Sequence, residues 1–180
     1  MCKRLFILYT ALCCACSSFA QPAANPHGLE STDKPLEYKY VSTFYKAMAD
    51  AHKNISLHVA GPTDTDDSLL VVFYSADGRF DISRWKKEGK IIVFVNNGIH
   101  PGEPDGIVAS MQLLWDIAEK KVKIPDNIVL AIIPVFNISG ATQLRQYTRA
   151  NQNGPAITGF RGNAQNLDLN RDFIKMDARE

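Results

Sequence analysis

His100 and Glu103 stand three residues apart in NNGIHPGEPDG, the stretch from Asn96 to Gly106. It follows the hydrocarbon run IIVFV and leads into an amphipathic segment. A neutral imidazole and a carboxylate at i and i+3 across a tight turn can point at one locus. Together these hard-to-borderline donors suit zinc. Pro101 and Gly102 would shape the turn, Gly being free to adopt dihedrals closed to other residues. The alternative is a histidine that only caps the following helix, since HxxE spacing by itself is a weak signal. The other histidines are His27, His52 and His58, and none follows His100. His58 falls in an early strand-like segment without a partner motif.

Hydrophobic periodicity indicates the elements that must position this turn. Ile91 to Val95 does not alternate and reads as a strand buried on both faces. Ile107 to Lys121 places Ile107, Met111, Leu114, Trp115 and Ala118 on one helical face. Glu103 and Asp105 sit at its start and Lys120 and Lys121 at its end, which matches the helix dipole, and Pro104 suits the first turn. Ile128 to Phe136 is another buried strand. Strand, helix and strand at this spacing make a βαβ unit. His100 and Glu103 then lie beyond the carboxyl end of a strand, where ligands gather in open α/β sheets.

Upstream, Leu36 to Lys53 carries Tyr40, Phe44, Met48 and Ala51 at helical spacing. Ile55 to Ala60 and LLVVFY, Leu69 to Tyr74, read as strands around the polar turn GPTDTDD. Ser75 to Gly89 reads as a surface connection. Gln146 to Asn166 is rich in Gly, Asn, Gln and Arg, a long structureless loop of the kind that usually carries function. Leu167 to Leu169 returns to strand-like alternation.

The chain has 180 residues, 46% of them hydrophobic and 22% charged, an ordinary globular composition. Its net charge of +1 offers no basic footprint for nucleic acid. Lys3 and Arg4, the apolar LFILYTALCCA and the small residues ending at Ala20 read as a signal peptide, residues 1–20, cleaved before Gln21. Its apolar run is too short for a membrane span. Neither Cys13 after Leu12 nor Cys16 with Cys13 three before it meets the lipoprotein pattern well. Cleavage removes all four cysteines, along with Lys3 and Arg4 and no acid, leaving 18 bases against 19 acids. An exported chain without cysteine must build any metal site from His and carboxylate. Residues 21–34 read as a flexible leader.

Three segments taken together, FVNNGIHPGEPDG, IIPVFNISG and NLDLNRDF, resemble the zinc carboxypeptidase family of the carboxypeptidase A/B type. The resemblance runs from about Lys34 to the end of the chain. It implies that His100 and Glu103 are Zn2+ ligands and that Asn170 and Arg171 hold the terminal carboxylate of a peptide substrate. An upstream arginine that polarises the scissile carbonyl matches Arg149 in YTRANQNG best, with Arg145 and Arg161 as competitors. Asn137-Ile138-Ser139-Gly140 occupies the place of the family's Asn-Pro-Asp-Gly turn without its Pro or Asp. Asp168 reads as an acid that orients its turn.

The residue types suit that chemistry. A guanidinium fork binds a carboxylate bidentately, which Lys cannot copy, and a second Arg near a metal can stabilise a developing oxyanion.

The resemblance also implies a third ligand, a His far downstream, and a general-base Glu, neither of which this sequence supplies. The expectation is therefore an α/β domain of three layers, α/β/α, around a mixed, mainly parallel sheet, incomplete at its C-terminal end. Residues 35–180 would be the N-terminal part of an exported, extracytoplasmic zinc metallocarboxypeptidase, inactive alone. A zinc amidohydrolase, deacylase or cell-wall amidase on the same fold, and a non-catalytic carboxylate-binding remnant, are the alternatives. No nucleic acid and no membrane span after cleavage are expected; side-chain specificity and oligomeric state are not legible.

Overall fold

The computed structural model describes residues 23–29 and 35–180. The expected signal peptide lies outside them. Four strands form the main sheet in the order β1-β2-β4-β3. They are β1, Ile55–Pro62; β2, Ser68–Ser75; β3, Ile91–Asn96; and β4, Ile128–Ile133. β1 and β2 are a hairpin, with a bulge between Val59 and Gly61. β2 runs antiparallel to β4, and β3 parallel to it. The sheet is mixed, as expected. The expected predominance of parallel pairs is not found among the described strands, because only β3 reaches its neighbour through a helical crossover.

Helices α1, Tyr38–Ala51, and α3, Asp105–Ala118, cover one face of the sheet. Val41, Phe44, Tyr45 and Met48 of α1 meet Ile107, Met111, Leu114 and Ile117 of α3 over Val72, Tyr74, Leu130 and Ile132. Side chains of this size contribute roughly 1.5–3 kcal/mol each when fully buried. The buried stripe of α1 is turned slightly from the one expected, with Val41 and Tyr45 inside and Ala51 exposed. Pro104 stands at the N-cap of α3, where its missing N–H leaves no hydrogen bond unmade.

The other face is covered in two places. Ser75 to Gly89 is more than a surface connection, since it contains α2, Ile82–Lys87. Asp81 caps α2 by accepting from the N–H groups of Ser83 and Arg84 at 2.8 and 3.1 Å. α2 buries Trp85 beside Phe73, ring centroids 5.5 Å apart. At the other end Leu169 packs with Leu69, Ile133, Phe136 and Ile138.

β3 departs most from expectation. Ile91 and Phe94 are 54% and 61% exposed, not buried. Within the described residues β3 is an edge strand, so its second side and much of its surface meet no neighbour.

Beyond β4 come α4, Ile138–Thr142, and a small ribbon of β5, Arg145–Gln146, with β6, Ile157–Thr158. The long loop is thus partly ordered by backbone pairing. The alternation at Leu167–Leu169 leads into a 3-10 turn, Leu169–Arg171, instead of a strand. Of the segment read as a leader, residues 23–29 lie along α3. Ala23 and Leu29 pack on the core, and His27 Nε2 lies 2.9 Å from Asp116 Oδ1. No helix among the described residues is long and apolar enough to cross a membrane.

Candidate metal and carboxylate site

The carboxyl end of β3 delivers the chain into the turn that holds His100. Asn97 anchors this exit, its side chain donating to Ser110 Oγ of α3 at 3.0 Å and to the carbonyl of Ile133 at 3.2 Å. Gly98 then adopts φ +63° against Val135 and Ile107, a close approach at a left-handed backbone that only glycine makes without strain. The turn closes with the Glu103 N–H donating to the carbonyl of His100 at 2.9 Å.

His100 is buried, 7% exposed. Its Nε2 lies 2.9 Å from Asp168 Oδ1, and its Nδ1 lies 3.5 Å from Glu103 Oε1. An ionised carboxylate only accepts, so Nε2 carries the proton toward Asp168, and the neutral form of the ring has its lone pair on Nδ1. That lone pair faces Glu103. Arg149 reaches the same Glu103 oxygen with one guanidinium nitrogen at 2.6 Å. Arg161 donates Nε and Nη2 to Asp168 Oδ2 at 3.1 and 3.0 Å.

The charges set the acidity of both acids. Desolvation opposes ionisation of Asp168, but hydrogen bonds from His100, the Asn170 N–H and Arg161, with the charge of Arg161, outweigh it and hold the carboxyl at about 2. Glu103 is likewise lowered. Burial pushes it up, and the hydrogen bond and charge of Arg149 push it further down. Because the folded-state value of Asp168 is depressed from 3.8, its contribution to stability is complete above that value and is lost as pH falls toward about 2. Urea midpoints should therefore drop for the parent across this window, and Asp168→Asn should remove that share of the drop. Equal acid sensitivity in both proteins would disprove the ionised network.

The turn Leu169–Arg171 begins on Asp168, whose Oδ1 also accepts the Asn170 N–H at 3.0 Å. Asn170 and Arg171 are exposed on this turn. Arg171 Nη1 donates to the carbonyl of Asn170 at 3.0 Å. The structure thus brings together His100, Glu103 and Arg149. It sets Asn170 and Arg171 one turn away, linked through Asp168. Arg145 stands apart on β5, its guanidinium against Gln143. Beside Glu103 opens a cleft of about 1240 Å³ bordered by Tyr40, Pro104, Val108, Asn153 and Pro155.

Asp168 orients its turn, as read, but its grip on His100 was missed. The signal available was chemical: a metal-binding histidine ordinarily gives its second ring nitrogen to a carboxylate or carbonyl.

For zinc, the donor set fits in part. Nδ1 of His100 and the Glu103 carboxylate converge, and Nε2 is occupied as an orienting bond. Among the described residues no group of three His, Cys, Asp or Glu could hold a metal.

The chain belongs to the zinc carboxypeptidase family, whose profile it matches over residues 41–179. It is 22% identical over 163 residues to carboxypeptidase 2 of Trichophyton equinum, a match covering 88% of this chain and 27% of that protein. The chain therefore spans about a quarter of the length of the relatives it matches. Among solved structures it resembles carboxypeptidase A from Helicoverpa armigera. The TM-score is 0.57 and identity 20%, over 78% of this chain and 34% of that one. A metallo-carboxypeptidase from Burkholderia cenocepacia gives TM-score 0.57 at 18% identity, over 78% and 33%. These likenesses define the fold.

Proposed function

We propose that this chain forms the N-terminal part of an exported zinc metallocarboxypeptidase that hydrolyses the C-terminal peptide bond of a peptide. The observation that carries the reading is the convergence of His100 Nδ1 and Glu103 Oε1, with His100 held from behind by Asp168. His100 and Glu103 supply two of the protein donors to zinc. Zinc, when bound, supplies Lewis acidity and lowers the pKa of water toward about 7.

Asn170 and Arg171 bind the substrate's free carboxylate, the guanidinium by its planar fork and the amide by its N–H groups. Arg149 polarises the scissile carbonyl and stabilises the charge that develops there. Arg149 spends one nitrogen on Glu103, whereas Arg161 spends two on Asp168, so Arg149 keeps more donors for substrate. A larger loss of kcat in Arg161→Gln than in Arg149→Gln would move that role to Arg161.

The described residues offer two donors, and residues 21–180 alone are expected to be inactive. The test uses the full-length, zinc-loaded protein with peptides carrying free or amidated C-termini, and residues 21–180 as a control. Preference for the free form supports the reading. Equal hydrolysis of both forms would favour an amidohydrolase or cell-wall amidase. Hydrolysis by residues 21–180 would sink the two-donor account.

A further inference from the structure

The chemistry assigned above leaves unused a pair of buried polar side chains at the start of α4. Asn137 is 0% exposed and Ser139 is almost as deeply buried. Asn137 Oδ1 accepts the Gly140 N–H at 2.8 Å, capping α4, and the Ser139 hydroxyl at 3.3 Å. Its Nδ2 leaves the turn altogether and donates to the carbonyl of Arg161 at 3.0 Å. Ser139 Oγ accepts the Ala164 N–H at 3.0 Å, a donor shared with Asp64 Oδ2 at 2.7 Å.

The two segments are pressed together. The Phe160 N–H donates to the carbonyl of Gly140 at 2.9 Å. A Cβ at Gly140 would stand 2.5 Å from the Phe160 carbonyl oxygen. A serine or aspartate at 137 would serve as a cap. The amide accepts from Gly140 through Oδ1 and donates to Arg161 through Nδ2 from one dry position, whereas a serine hydroxyl has a single atom for both and an ionised aspartate has no donor.

From Arg161 the connection continues to the site. Its guanidinium grips Asp168 Oδ2, and Asp168 Oδ1 holds His100 Nε2 at 2.9 Å. We propose that Asn137 is a positioning residue: its amide fixes the backbone of Arg161, so that Arg161 holds Asp168 and Asp168 aims Nδ1 of His100 at Glu103. The inference rests on the metallopeptidase reading only for its zinc readout.

The experiment is a double-mutant cycle on the full-length protein, with Asn137→Ser, Arg161→Gln and the pair. Zinc affinity is read by chelator competition, and the His100 ring nitrogens by NMR in the zinc-free protein. Asn137→Ser should weaken zinc about 10-fold. It should add less than about 2-fold once Arg161→Gln is present, because the two act through one connection. The His100 ring signals should move in both single variants. Ser139→Ala perturbs the same turn without touching Arg161, and should leave them in place.

Asn137→Asp, which keeps the capping oxygen and removes the donor, serves if the serine variant does not fold. Additive losses of zinc affinity, or His100 signals unmoved in Asn137→Ser and Asn137→Asp, would overturn the proposal. If no form binds zinc, the metallopeptidase reading fails, and the ring signals still decide the role of Asn137.

Discussion

Replacing His100 with Gln in the full-length protein should weaken zinc binding about 1000-fold, roughly 4 kcal/mol, and abolish peptide hydrolysis, while the fold survives. Changes to groups that merely orient a metal ligand cost about 10–100-fold in affinity, and loss of the ligand itself should exceed that. Gln can still offer a polar group toward Asp168, but it has no ring nitrogen to place where Nδ1 stands. Among the described residues His100 is also one of two donors that converge here, so none of its neighbours among them substitutes for it. Asp168→Asn provides the comparison, with the smaller loss expected of an orienting group. Chelator competition together with a melting curve checks both. If His100→Gln binds zinc like the parent, His100 is a capping residue and the site lies elsewhere.

The second large effect concerns Arg171. Arg171→Lys should lower kcat/KM for peptides with a free C-terminus about 100-fold, near 2.7 kcal/mol, with little change for any residual activity on amidated peptides. The substitution keeps the charge and removes the planar pair of donors, so the loss measures geometry and not attraction alone. Arg171 commits Nη1 to the neighbouring carbonyl of Asn170, which orients the guanidinium on the exposed side of its turn. The Asn170 backbone is tied to Asp168, so the proposed carboxylate anchor and the His100 support share one acid. Steady-state kinetics on matched free and amidated peptides give the answer. An equal loss on both substrates, or none, would remove Arg171 from carboxylate recognition.

Particular residues show why some of this was legible in the sequence and some was not. α1 and α3 came through because long segments repeat a hydrophobic period, and packing then obeys it, and β4 because a short unbroken apolar run suits a strand buried on both faces. α2 has six residues and one buried side chain, Trp85, too little for any period to register. The hydrocarbon of β3 reads the same whether or not another strand lies beside it, so its exposure could not be foreseen.

At Leu167–Leu169, apolar-polar alternation resembled a strand. Leu169 is instead buried under a turn that Asp168 caps. His100 and Glu103 were visible because their turn is local. The contact of His100 with Asp168 joins positions 68 apart, and nothing in linear spacing announces it. Three arginines competed for one role because no strict spacing tied any of them to the turn. The fold then gave Arg149 and Arg161 different carboxylates and left Arg145 with neither.

The open side of β3 has a consequence for proton exchange with solvent. The Ile91 and Asn97 amides donate across to Asn127 and Ile133 on the β4 side. With the two-residue repeat of a strand, those of Val93 and Val95 point the same way. The amides of Ile92, Phe94 and Asn96 therefore face outward. Deuterium uptake along this strand should alternate residue by residue, slow at odd positions and fast at even ones. Anything that settles beside β3 would erase the alternation, so these three peptide groups register occupancy of that flank without any label.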